Sequence, residues 1–110
     1  MGNDALEPVR GSEASKRRPA VIVSNDGANT TASRLNRGVI TVVPVTSNVT
    51  RVYPFQVFLP ALDSGLPRDS KAQAEQIRSV AVERVGERVG ELTGSLMSEL
   101  DAALRLHLSL

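Results

Sequence analysis

The stretch Gly38-Val-Ile-Thr-Val-Val-Pro-Val45 constrains the fold more than any other part of the chain. β-Branched residues dominate it; they lose side-chain freedom in a helix but pack well on a pleated surface. Its apolar positions run almost unbroken instead of alternating, which is the pattern of a central strand. Pro44 has no N–H to give to a ladder, so it marks either the end of this strand or a bulge.

Other segments supply partners for that strand. Pro19-Ala-Val-Ile-Val-Ser24 is a short β-branched run, stopped by the turn signal Asn25-Asp26-Gly27 and followed by a polar loop to Arg37. Pro54-Phe-Gln-Val-Phe-Leu59 reads as a third strand, closed by Pro60 and the Asp63-Ser-Gly65 turn. Ser70 to Val80 holds a fourth, more polar pattern, Val82 to Arg88 a short helical turn, and Val89 to Leu92 a further short strand. Thr93 is a good N-cap for a terminal helix. In that helix Leu96, Leu100, Ala103, Leu104 and Leu108 recur at helical spacing, with Glu99, Asp101 and Arg105 off the stripe. Residues 1–18 show no periodicity and read as a flexible arm and loop. Strands first and a helix last predict one α+β domain over residues 1–110, a small curled antiparallel sheet with the helix packed on it.

Composition removes several chemistries. With no cysteine there is neither a disulfide framework nor a thiolate nucleophile, and cysteine-based zinc sites go with them. The single histidine, His107, lies beside the apolar helix stripe near the chain end and reads as a partly exposed helix residue. One histidine without carboxylates at ligand spacing argues against a metal site, and equally against a Ser-His-Asp triad. No cofactor is called for, because no glycine-rich phosphate loop links a strand to a helix. The apolar runs are too short to span a bilayer and the N-terminus lacks a signal-peptide pattern, so the expected compartment is the cytoplasm. The only aromatic residues are Tyr53, Phe55 and Phe58. The phenylalanines read as core, leaving no aromatic platform for RNA.

Charge is distributed unevenly. The net charge is +1, yet Arg10 to Arg51 holds seven basic residues against Glu13 and Asp26. Eleven of the 13 basic residues are arginine, whose planar fork suits phosphate. A basic half on a nearly neutral protein fits a localised polyanion site, and an arginine-rich solvated surface fits it as well. A hydrolase with this inventory must take its nucleophile from the substrate. RNA offers one, the 2′-hydroxyl beside each phosphodiester. The protein then has to orient the phosphate and stabilise its charge, which Arg, Thr and Ser can do.

Four segments in order resemble the MazF/PemK family, actinobacterial members above all. They are Gly11-Ser12-Glu13 with Arg18-Pro19 and the strand to Asn25; Val43-Pro44-Val45-Thr46-Ser47-Asn48; Asp69-Ser70 leading to Glu75-Gln76-Ile77-Arg78-Ser79; and the terminal helix with Asp101-Ala-Ala-Leu104. The resemblance implies a barrel-like sheet of the SH3-like, CcdB–PemK type with a C-terminal helix, working as a homodimer. It also implies the toxin of a type II toxin–antitoxin pair, an mRNA interferase that cuts single-stranded RNA at short sequences without a metal and is occluded by a MazE-like antitoxin. Carried over by position, Arg18 and Thr46 are the catalytic pair. Gly11, Ser12 and Glu13 shape the RNA groove, Ser47 touches RNA, and Glu75, Gln76 and Arg78 read bases or support Arg18.

Blander readings exist for each position: Arg18 as the surface residue before a strand, Thr46 as a strand end, Glu75 with Arg78 as a salt bridge. A different function on the same fold is a non-catalytic protein binder, either a gyrase-poison-like chain or one that sequesters antitoxin and autoregulates an operon. One departure from the family stands out. Its members start with a strand of Arg-Gly-acidic-aliphatic-aromatic pattern, whereas Met1-Gly-Asn-Asp-Ala5 has no β-branched or aromatic residue. The first strand is therefore expected to be missing, leaving the edge of Ala20–Ser24 open to aggregation or to a partner.

Overall fold

The computed structural model describes residues 5–10, 17–25, 34–35 and 38–110, with only the backbone described for 5–10 and 17. In chain order the elements are β1 (Ala5–Arg10), β2 (Arg17–Ile22), β3 (Val39–Thr46), β4 (Gln56–Leu59), the short helix α1 (Ala61–Ser64) and β5 (Ser70–Gln73). A 3-10 turn (Ala74–Gln76), β6 (Arg78–Ala81), a second 3-10 turn (Val82–Arg84), β7 (Gly90–Glu91) and the terminal helix α2 (Gly94–Leu108) follow.

The long β-branched run is the spine of the sheet. β3 pairs β2 along one side, with Ala20 opposite Pro44 and Ile22 opposite Val42. Along the other side its first half pairs β6, from Val39↔Ala81 to Val42↔Arg78, and its end pairs β5, at Val45↔Ala72 and Thr46↔Lys71. Pro44 lies inside the strand, in the interval between these two partners, where the 3-10 turn of Ala74–Gln76 already interrupts the ladder. The unbroken apolar pattern has a direct cause, because both faces of β2 and β3 are covered. Val21, Val23, Val43 and Val45 point into the main core with Val57, Leu59, Leu96, Leu100 and Leu104. Ala20, Ile22, Ile40 and Val42 point the other way into a smaller cluster with Val80, Val82 and Val85. Alternation within a strand sorts the two sets.

The sheet runs β4-β5-β3-β2-β1-β7, with β6 beside β3. Its two ends come together, which makes it barrel-like. A Cβ built on Gly90 of β7 would stand 2.5 Å from the carbonyl oxygen of Ser64, the last residue of the helix that follows β4. Only glycine allows that approach. Gly65, at φ 78°, takes the left-handed conformation that ends α1 and turns the chain beside the same seam.

Helix α2 closes one mouth of this curled sheet. The Thr93 hydroxyl oxygen accepts the Leu96 N–H at 3.1 Å, satisfying one of the unpaired donors of the first turn. Leu92 before the cap and Met97 in the next turn are both buried in the main core, a hydrophobic staple that fixes the helix entry angle. The buried stripe is Leu96, Met97, Leu100, Ala103 and Leu104. Leu108, expected within it, is 45% exposed, because the packed part of the helix ends at Leu104 and the last turn projects into solvent. Among the described residues no helix is long and apolar enough to cross a membrane.

Two expectations need correction here. The arm expected to lack a first strand contains one. Ala5–Arg10 pairs antiparallel with β2 from Leu6↔Val21 to Arg10↔Arg17, and its start pairs β7. The edge of β2 is therefore covered. Ala5–Arg10 has weak β-propensity of its own; an unfilled edge of a strongly β-branched strand supplies what the local sequence does not. The second correction concerns the aromatics. Phe58 is 40% exposed, and half-buried Phe55 stacks on Tyr53 with ring centroids 5.4 Å apart and planes 3° from parallel.

Candidate active site

Arg18 and Thr46 meet at the end of the β2–β3 ladder. The register that sets Ala20 opposite Pro44, extended two residues, sets Arg18 opposite Thr46. Directly opposed residues in an antiparallel pair project to the same face, with Cα atoms roughly 4.5–5.5 Å apart. Lys71 of β5 opposes Thr46 from the other side, so Arg18, Thr46 and Lys71 form one lateral row across three strands. Residues 28 positions apart in sequence thus become neighbours through register alone.

Two clefts meet at this pair. The larger, about 380 Å³, is lined by Arg18, Pro19, Val45, Thr46, Ser47, Leu66, Pro67, Arg68 and Ser70. The smaller, about 190 Å³, is lined by Arg18, Pro19, Ala20, Val42, Pro44, Val45, Thr46, Gln73 and Arg78. Among the described residues no carboxylate stands in either lining, whereas Arg18, Arg68 and Arg78 do. Each of the three is exposed, so the walls present fixed positive charge to an incoming anion.

The loop beyond Thr46 is held by its own side chains. The Thr46 hydroxyl oxygen accepts the Asn48 N–H at 3.2 Å, and Asn48 Oδ1 accepts the Thr50 N–H at 3.2 Å. Two successive turns of this kind hold the segment. They also orient Thr46: with the oxygen accepting from the backbone, its O–H remains to donate into the cleft. On the opposite wall Asp69 Oδ1 accepts the Ala61 N–H at 2.9 Å, and the Ser70 hydroxyl donates to the Arg68 carbonyl at 3.0 Å. These contacts fix the backbone immediately after Arg68.

The structure brings together Arg18, Thr46, Ser47 and Arg78 among the residues singled out by sequence. Glu75 and Gln76 are not among the described residues that line these two clefts. They lie in the 3-10 turn, where the Glu75 carboxylate accepts a hydrogen bond from Gln56 Nε2 at 2.8 Å. The β5–β6 kink turns this pair aside while leaving Arg78, opposite Val42, on the cleft face. Glu75 thus pairs with a glutamine amide in place of the Arg78 salt bridge considered for it. Gly11, Ser12 and Glu13 lie outside the described residues. Arg68 and Gln73 join the clefts without having been singled out in sequence, and Ser70 joins them as a member of the third family-like segment. Among the described residues no group of three His, Cys, Asp or Glu side chains is placed to hold a metal ion.

Comparison with known proteins gives the family and the fold. The family profile of PemK-like, MazF-like toxins of type II toxin–antitoxin systems matches residues 5–108. Endoribonuclease MazF9 of Mycobacterium tuberculosis is 62% identical over 105 residues, covering 96% of this chain and 89% of that relative. Endoribonuclease MazF2 of Mycobacterium bovis is 40% identical over 109 residues, covering 96% and 90%. A mycobacterial endoribonuclease solved in complex with its cognate antitoxin superposes with a TM-score of 0.81 at 21% identity, covering 100% of this chain and 96% of the other, so the expected sheet-and-helix fold is the one observed. The chain belongs to the PemK-like, MazF-like toxins of type II toxin–antitoxin systems.

Proposed function

We propose that this chain is a sequence-specific endoribonuclease that cuts single-stranded RNA without a metal, acting as the toxin of its pair. The observation that carries the reading is the meeting of Arg18 and Thr46 across β2 and β3, at the junction of two clefts walled by arginine. The endoribonuclease names of relatives at 62% and 40% identity support it.

The reaction follows from what the side chains can do. Arg18 is a poor base, since a guanidinium presents five N–H donors and no acceptor. Its work is electrostatic: a bidentate grip on the non-bridging oxygens, strengthened as negative charge accumulates on phosphorus. The Thr46 O–H donates to the same phosphoryl group. The substrate's own 2′-hydroxyl gives up its proton to solvent as its oxygen attacks phosphorus, and the bond to the 5′-oxygen breaks as that oxygen takes up a proton from solvent. The products are a 2′,3′-cyclic phosphate and a 5′-hydroxyl. Arg68 and Arg78 hold flanking phosphates. The Gln73 amide offers both a donor and an acceptor to a base edge.

A MazE-like antitoxin that occludes the clefts and a second copy of the chain are the protein partners in this reading; one structural relative was solved in complex with its cognate antitoxin. The cytoplasm, where the RNA is, is its compartment. The rival, a protein binder on the same fold, gives no role to a guanidinium and a hydroxyl set at one phosphate. Incubation of the pure chain with single-stranded RNA in EDTA tests the choice. Cleavage that Arg18→Ala and Thr46→Ala abolish is expected; intact RNA, or cleavage indifferent to both changes, overturns the reading.

A further inference from the structure

Two exposed aromatic side chains stand beside the Arg18–Thr46–Lys71 row: Phe58, opposite Lys71 on β4, and Tyr53, in the loop between β3 and β4, which several contacts hold in place. Tyr53 is 42% exposed and stacks on half-buried Phe55. The Arg51 guanidinium lies 5.7 Å from the Tyr53 ring centroid and donates to the Tyr53 hydroxyl at 3.2 Å. The Lys71 ammonium lies 6.0 Å from the same centroid and donates to the Arg51 carbonyl. Gln56, only 8% exposed, fixes the loop from beneath, its Oε1 accepting the Tyr53 N–H at 3.0 Å while its Nε2 donates to Glu75 at 2.8 Å. Through Gln56 the Glu75 carboxylate helps to position the ring.

We infer that Tyr53, backed by Phe55 and flanked by Arg51 and Lys71, is a stacking platform for a nucleobase beside the scissile linkage. Three features select RNA as the occupant. Lys71 stands directly across the ladder from Thr46, and its side chain spans from that row to the Tyr53 ring, so the platform continues the cleft. Both side chains that reach over the ring are cationic, which favours a planar group tethered to phosphate over an apolar protein side chain. A pre-stacked, hydrogen-bonded ring loses little freedom on binding, which suits a base held by π-contact. The platform adds the aromatic contact that single-strand recognition uses and that the clefts themselves lack.

This inference rests on the ribonuclease reading, and its test separates the two. The probe is the shortest single-stranded oligoribonucleotide that the wild-type chain cuts, bound to the full chain carrying Thr46→Ala so that it stays intact. Adding Tyr53→Ala is expected to weaken binding about five- to a hundredfold, the range for loss of one base–aromatic stack. Tyr53→Leu, which keeps apolar bulk and guards against misfolding, is expected to behave like the alanine variant, and Tyr53→Phe like tyrosine. An abasic nucleotide scanned along the probe should weaken the tyrosine protein at one position and leave Tyr53→Ala unaffected there. Undiminished RNA binding by Tyr53→Ala in a chain whose wild type cuts RNA overturns the platform alone. So does loss of antitoxin binding with RNA binding retained, which assigns the ring to the protein partner. A wild type that leaves RNA intact overturns both readings.

Discussion

Replacing Thr46 by valine separates two jobs of one hydroxyl. Valine matches threonine in shape and β-branching, so the strand end should persist. The Oγ1 that accepts the Asn48 N–H at 3.2 Å disappears, but this bond is exposed and water can replace it. The stability cost is therefore at the low end for a hydrogen bond, about 0.5 kcal/mol, a fall in Tm of only a few degrees. The catalytic cost is far larger. A donor aimed at developing charge on phosphorus resembles a single oxyanion-hole donor, whose loss slows turnover about 10²–10³-fold. Thr46→Ser keeps the O–H and should lose about threefold, reflecting the three staggered rotamers open to serine. The assay is single-turnover cleavage of a labelled single-stranded RNA, run beside thermal denaturation of each variant. A valine variant within a few-fold of wild type would refute the donor role, as would a serine variant as slow as valine.

Other expectations follow from the clefts and the seam. Three cleft arginines on a single strand give a plot of log binding constant against log salt with a slope of about −2, and Arg68→Ala should flatten it by about 0.7, measured by RNA binding to the Thr46→Ala chain. An unchanged slope would place Arg68 off the RNA path. Gly90→Ala drives a Cβ to 2.5 Å from the Ser64 carbonyl oxygen where the ends of the sheet meet. It should cost about 1–3 kcal/mol and lower Tm by at least about 4 °C in a thermal melt, while Gly94→Ala, with open space at that position, should not.

The fold is legible in sequence where a segment's own pattern matches its surroundings. The run Val39–Val45 reads as a central strand because both of its faces are covered, and Thr93 with its Leu stripe reads as a capped helix because the cap and the core face are local signals. Ala5–Arg10 is illegible for the opposite reason: its strand is imposed by the edge of β2, which no local window contains. The short helix Ala61–Ser64 reads in sequence as a turn, and four residues give too few positions for a period to show. At the site, Arg18 and Thr46 are reached by resemblance and their adjacency by strand register. Arg68 and Gln73 depend on where the turn after α1 and the β5–β6 kink point them, so spacing cannot reveal them. Tyr53 and Phe55 escape a sequence reading because aromatic residues next to a strand usually enter the core, whereas here the loop carries them outside it.

At the centre of this mechanism the protein contributes charge and orientation while RNA contributes the nucleophile. The most direct test is a substrate carrying a single 2′-deoxy nucleotide immediately 5′ of the scissile phosphate. Cleavage at that linkage should vanish while the binding constant stays within a few-fold of the all-ribose strand and other susceptible linkages are still cut. Continued cleavage at the deoxy position would show that the attacking oxygen comes from elsewhere and would contradict the roles given to Arg18 and Thr46.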